Sequence, residues 1–144
     1  MQLDIRIAIW NGNGLSDHTQ ETETYSNTQF FDIFLISETH FTFRTYFHIR
    51  GYDTIAANRP DHRADAGSVI LIKSTINYKV LPTISINYIQ PAEVKFSTNC
   101  GEISVFAIYS PSRHSISYQE YENFFSNLRS RFLVGGDFIA KHSW

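Results

Sequence analysis

Apolar residues in this chain come in short runs separated by polar, turn-forming stretches, a rhythm that predicts strands with few helices. Ile5 to Trp10 (IRIAIW) is a β-branched run stopped by Asn11-Gly12-Asn13-Gly14, a strong turn signal. Ile33 to Ile36 (IFLI) and Ser68 to Ile72 (SVILI) are continuous apolar runs, the pattern of strands buried on both faces. Further strands are predicted at Tyr52–Ala57, Tyr78–Leu81, Ala92–Ser97 and Ile103–Tyr109, with a last one at Phe132–Val134 before Gly135-Gly136-Asp137. The segments between, above all Asn58 to Gly67, read as loops.

Two segments read as helices. His18 to Phe31 is polar, and its apolar residues are too sparse for more than a weak one. The second starts at Ser117-Tyr118-Gln119-Glu120, where a hydroxyl and a carboxylate stand at capping-box spacing. Tyr118, Tyr121, Phe124, Phe125 and Leu128 then recur at helical spacing as a core-facing stripe, and Arg129 and Arg131 fall where positive charge suits the end of a helix dipole. Strands interspersed with a few helices predict α/β layers, the helices covering sheet faces.

Composition narrows this little. The 144 residues fit one domain. The 15% aromatic content suits a bulky, strand-rich core. One cysteine, Cys100, excludes an internal disulfide and a cysteine-rich zinc site. The amino terminus lacks the pattern of a signal peptide, and no apolar run has the length of a membrane span, so an intracellular protein without membrane partners is expected. The net charge of −2 is not that of a protein that coats nucleic acid. Any DNA contact needs a local patch, and His40 to Arg63 offers one with Arg44, Arg50, Arg59 and Arg63 against Asp53 and Asp61. A solvated loop face is the other reading of that stretch.

The chemistry-bearing residues are notable for position. Asn11 follows the first predicted strand, Glu38 the second, Tyr109 closes a later one, and Asp137 follows the last. Carboxyl ends of buried strands hold polar groups rigidly, and two carboxylates with an amide gathered there suit a hard cation such as Mg²⁺, which takes oxygen ligands and keeps several waters. Strand ends are also polar simply because strands run out into solvent.

A set of motifs in fixed order is more specific. Trp10-Asn11-Gly12-Asn13-Gly14-Leu15 resembles the W-N-x-N-G-L opening of the endonuclease/exonuclease/phosphatase superfamily, and Asp32-Ile33-Phe34-Leu35-Ile36-Ser37-Glu38-Thr39-His40 its D-I-x-x-I-x-E-T-H. Arg50-Gly51-Tyr52 is similar to its P-G-Y turn, and Ala66 to Lys73 to its G-G-V-x-I-x-I-K strand. Tyr109-Ser110-Pro111-Ser112-Arg113 resembles Y-x-P-P-R, and Gly135 to Trp144 resembles G-G-D-F-N-A-K-H-x-x-W. The closing Ala140-Lys141-His142…Trp144 and the Tyr109…Arg113-His114 segment resemble one branch, the apurinic-type endonuclease domain of jockey-like non-LTR retrotransposon polyproteins. They speak against a phosphoinositide phosphatase.

The resemblance implies a DNase I-like four-layer sandwich, two stacked β-sheets flanked by helices, with residues 1–144 as a partial domain. It implies a metal-dependent DNA endonuclease that nicks target sites for retrotransposition. Mg²⁺ (or Mn²⁺) would be the cofactor, DNA the substrate, a reverse transcriptase domain would follow downstream, and the nucleus would be the place of action. It makes Glu38 the principal metal ligand and Asn11 a support for the metal and the attacking water, with Asn13 a polar neighbour. Tyr109 would hydrogen-bond the scissile phosphate, and Asp137 would align the nucleophilic water or take its proton. Asn11 has a second reading as a plain turn residue, Tyr109 as a core aromatic with a wet hydroxyl, and Arg113 and Lys141 as phosphate contacts or solvated surface. His40, His114 and His142 show no ligand spacing.

Two departures stand out. The family's G-D-x-N motif has Ile139 where an Asn would supply hydrogen-bonding groups. The chain also reaches Trp144 before the family's later Asp and its Ser-Asp-His segment. Both raise the alternative of a truncated, catalytically inactive retrotransposon remnant, and the fragment alone is expected to be inactive and to leave apolar sheet surface uncovered.

Overall fold

A computed structural model describes residues 4–11, 18–37, 39, 47–57, 67–81, 90–109, 117–128 and 131–137, with the backbone alone at 19, 26–29, 90 and 137. Eight strands and two helices follow in the order β1 (Ile7–Asn11), α1 (Thr19–Gln29), β2 (Ile33–Ser37), β3 (Tyr52–Ala57), β4 (Ser68–Lys73), β5 (Tyr78–Val80), β6 (Gln90–Thr98), β7 (Gly101–Tyr109), α2 (Tyr118–Ser126) and β8 (Arg131–Asp137). They form two four-stranded mixed sheets, ordered β1-β2-β4-β3 and β5-β6-β7-β8. In the first, β1 and β2 are parallel and β4 is antiparallel to both β2 and β3. In the second, β5-β6-β7 is an antiparallel meander and β8 joins β7 in parallel.

The sheets stack face to face, with β1 over β8, β2 over β7 and β8, and β4 over β6 and β7. Ile33, Leu35, Ile70 and Ile72 of the first sheet meet Ala92, Val94, Phe96, Val105 and Ala107 of the second in a shared core. The outer face of the first sheet buries Phe34, Ile36, Val69 and Leu71 beneath Phe47, Ile49 and Tyr52. Both faces of β2 and β4 are therefore covered, which is why their sequences read as unbroken apolar runs. α2 covers the outer face of the second sheet through Phe124 on Phe106 and Ile108. The architecture is the α/β DNase I-like sandwich.

The helices fit their sequences unequally. α2 has the full capping box: Ser117 Oγ accepts from the Glu120 amide at 3.2 Å, and Glu120 Oε2 accepts from the Ser117 amide at 2.8 Å. Its apolar stripe is shorter than the spacing predicts. Tyr118 opens the helix clear of the buried cluster and is 81% exposed, so the packed face is Tyr121, Phe124, Phe125 and Leu128. Arg131 does not serve the helix dipole. The helix ends at Ser126, and Arg131 starts β8 with its guanidinium donating to the Cys100 carbonyl at 2.7 Å; Arg129 lies outside the described residues. α1 lacks a side-chain cap and ends in a left-handed Phe30, consistent with its sparse apolar pattern.

Candidate functional site at the carboxyl ends of four strands

Two contacts between the sheets settle how they are stacked. At one end of the sandwich the Tyr78 hydroxyl donates to Asp53 Oδ2 at 2.6 Å. Asp53 is level with Ile72, Ile33 and Ile7 across the first sheet, and Tyr78 with Phe96, Ile103 and Arg131 across the second. Higher up, Gly135 packs on the first sheet so closely that a Cβ there would stand 2.7 Å from Ile9 Cδ1 and 2.8 Å from Leu35 Cδ1. Gly135 is level with Ala107, and Ile9 with Leu35. Going from the first contact to the second, the chain advances from Ile33 to Leu35 in β2 and from Ile103 to Ala107 in β7. β1, β2, β7 and β8 therefore all run the same way.

The consequence is positional. Asn11 pairs with Ser37, and Tyr109 with Asp137. Each lies two residues beyond the Gly135 contact, about 7 Å at the rise of a strand. Asn11, Ser37, Tyr109 and the backbone of Asp137 thus share one end of the sandwich. Asn11 and Asp137 are the last residues of their strands and do not stand beyond them. Asn11 is exposed, whereas Tyr109 is buried at 5% exposure. Glu38 and Asn13 lie outside the described residues, as do Arg113, Lys141, His40, His114, His142 and Ile139. Ser37, directly before Glu38, is fixed in the ladder opposite Ser68, and Thr39, directly after it, donates its amide to the Gly67 carbonyl at 3.4 Å.

Glycine chemistry explains how β8 reaches this place. Gly135 leaves room for Ile9 and Leu35, so the sheets approach without a side chain between them. Gly136 has φ +156°, and a Cβ there would stand 1.9 Å from the Ile108 carbonyl oxygen. Paired glycines in the sequence signal such a close approach, and here they set the last residue of β8 beside Tyr109.

Among the described residues no group of three or more His, Cys, Asp or Glu side chains could hold a metal ion. One observation does fit a polar guest at this end: Thr39 is 1% exposed and its Oγ1 has no hydrogen-bond partner among the described residues. Apolar periodicity carries no signal for that hydroxyl. Of the stretch His40 to Arg63, Arg50 is described and exposed in a turn, and Asp53 belongs to the opposite end of the sandwich; Arg44, Arg59, Arg63 and Asp61 lie outside the described residues. Glu93, in β6, is the carboxylate held above its ordinary range, by burial, with a hydrogen bond from Ser104 and the nearby Lys95 opposing. It lies along the strand and not at this end. No helix among the described residues is long and apolar enough to cross a membrane.

No protein-family model matches the chain. It is 31% identical over 143 residues to the RNA-directed DNA polymerase from mobile element jockey of Drosophila melanogaster, covering 99% of this chain and 16% of that protein. Over 141 residues it is 30% identical to the probable RNA-directed DNA polymerase from transposon X-element of the same organism, again spanning 16% of its length. Among solved structures, the endonuclease domain of TRAS1, a telomere-specific non-LTR retrotransposon, superposes with a TM-score of 0.70 at 21% identity, covering 95% of this chain and 61% of that one. The AP endonuclease LMAP from Leishmania major superposes with a TM-score of 0.69 at 13% identity, over 92% of this chain and 54% of the other. The chain is thus similar in sequence to a segment of the RNA-directed DNA polymerases of jockey-type mobile elements, and its sandwich has the fold of these solved endonucleases.

Proposed function

We propose that this chain is part of a metal-dependent DNA endonuclease domain of a retrotransposon polyprotein, acting in the nucleus on target DNA ahead of a linked reverse transcriptase. The observation that carries this reading is the common direction of β1, β2, β7 and β8, which sets Asn11, Ser37, Tyr109 and the Asp137 backbone at one end of the sandwich. Glu38 follows Ser37 directly.

Hydrolysing a phosphodiester requires bringing water to an anion that repels hydroxide. A bound divalent ion supplies charge neutralisation at the phosphate and at the developing leaving oxygen. Glu38 would hold that ion, with the Asn11 amide beside it. Asp137 would orient the water in line and take its proton. The Tyr109 hydroxyl would hydrogen-bond a phosphate oxygen, its ring held by the core.

The test is Mn²⁺ titration of the chain, followed by nicking of supercoiled plasmid by a polypeptide that continues through the reading frame after Trp144. Glu38→Ala is expected to abolish both. Nicking that survives Glu38→Ala overturns the reading. Residues 1–144 alone are expected not to nick, and plasmid nicking by them that Glu38→Ala removes would refute that expectation.

One observation favours a second reading, a catalytically inactive retrotransposon remnant: Ile139 stands where the family has an amide side chain. A missing preorganised donor near a developing oxyanion costs about 100- to 1,000-fold in rate. Ile139→Asn is expected to recover a rate increase of that order in the continued polypeptide.

A further inference from the structure

Thr39 has a buried hydroxyl that no described residue hydrogen-bonds. The side chain is 1% exposed, and its Oγ1 is the buried side-chain polar atom without a partner among the described residues. Burying a hydroxyl without a hydrogen bond is unfavourable, and a methyl in its place would remove the cost. The surroundings nevertheless keep space for it. Gly67 has φ +126°, and a Cβ there would stand 2.8 Å from Thr39 Oγ1. The Thr39 amide is anchored on the Gly67 carbonyl, and Ser37, two residues earlier, is anchored opposite Ser68. The hydroxyl is therefore held at fixed height, one residue past Glu38, at the end of the sandwich where four strands finish.

We propose that Thr39 is a positioning residue for the divalent ion of this site, its hydroxyl hydrogen-bonding the hydrated ion held by Glu38. The proposal rests on the metal-dependent reading above. A hard cation that keeps several waters needs partners for those waters as well as direct ligands. Groups that hold the shell around a metal typically change its affinity by about 10- to 100-fold when removed. Thr39 then exchanges an unfavourable metal-free state for a partnered loaded one, which couples ion binding to the local stability of the strand end.

The experiment compares Thr39→Val, Thr39→Ser and Glu38→Gln with the unaltered chain in two measurements, metal-free thermal melting and Mn²⁺ binding by electron paramagnetic resonance. Thr39→Val keeps the shape and removes the hydroxyl. It is expected to melt at or above the temperature of the unaltered chain while binding Mn²⁺ about 10-fold or more weakly. Thr39→Ser keeps the hydroxyl and loses a methyl group, so it is expected to melt lower while binding within about threefold of the unaltered chain, well short of that loss. This opposition between melting and binding separates positioning from packing. If Thr39→Val lowers both the melting temperature and the affinity, or if Glu38→Gln weakens binding and Thr39→Val does not, Thr39 has no positioning role and the metal reading stands. If the unaltered chain does not bind Mn²⁺, or Glu38→Gln binds as well as it does, the metal reading falls and the role of Thr39 with it.

Discussion

The two ends of the sandwich use polar groups in opposite ways. At the end where β3 and β5 begin, carboxylates are saturated by the chain itself. Asp32 accepts from the Arg6 amide at 2.8 Å and pairs with Lys73 Nζ at 3.1 Å, while Asp53 accepts from the Tyr78 and Ser74 hydroxyls at 2.6 and 3.0 Å. These groups lie before or at the first residues of β1, β2, β3 and β5 and at the close of β4, and they tie the first sheet together and join it to the second. At the end where β1, β2, β7 and β8 finish, closeness comes from glycine at 135 and 136, and the buried Thr39 hydroxyl has no partner among the described residues. One end is joined by polar side-chain contacts; the other is brought close by glycine packing.

The sharpest way to break this contrast is at Gly136. A methyl there meets the Ile108 backbone, which neither strand can yield without parting β8 from β7. Gly136→Ala is expected to destabilise the fold by about 3 kcal/mol or more, the range of changes forced on a special backbone position. Chemical denaturation measures it. A loss under about 1 kcal/mol, within the range of an ordinary surface change, would mean that β8 does not need that close approach.

A pair of carboxylate substitutions then tests whether the ends are functionally distinct. Asp32→Ala leaves Lys73 and the Arg6 amide without their partner and is expected to cost about 1–2 kcal/mol, the range for a partly exposed charge-assisted bond, with Mn²⁺ affinity unchanged. Glu38→Ala is expected to do the reverse, with stability within about 1 kcal/mol of the unaltered chain and Mn²⁺ affinity lower by at least about 100-fold, beyond the range for residues that act on a metal from outside its ligand set. Equal effects on stability would erase the distinction between the ends.

How much of this was legible beforehand follows the same division. Strands buried on both faces announce themselves as apolar runs, so β2 and β4 were readable within one residue, and Tyr52–Ala57 matches β3 at both ends. The capping box placed the start of α2, whereas its exposed Tyr118 was not foreseeable, because helical spacing does not say where the sheet beneath the helix begins. β6 and β7 extend beyond their apolar stretches through Gln90, Thr98 and Gly101, since hairpin pairing continues where side-chain pattern no longer requires it. For the candidate site, the sequence marks Asn11, Tyr109 and Asp137 as strand-end residues; that their ends coincide depends on the relative direction of two sheets, which no local pattern encodes. Polar pairs such as Asp53 with Tyr78 are invisible for the same reason, being set by the stacking of strands 25 residues apart in sequence.

The smallest expected effect, at Tyr78, tests the saturated end by pH. The phenol is pushed up from 10.0 to about 12, first by burial and then by its hydrogen bond to, and the charge of, Asp53. Because the folded state holds this proton more tightly than the unfolded chain, the contribution is fully present below pH 10 and is lost as pH rises through about 12. Tyr78→Phe removes one hydrogen bond to a carboxylate at a partly exposed position and is expected to cost about 1 kcal/mol at neutral pH. The stability difference between the two proteins should stay constant up to pH 10 and narrow above it. A difference that does not change with pH in that range would mean that the phenol proton is not shared with Asp53, and that the sheets are held at this end by packing of the ring alone.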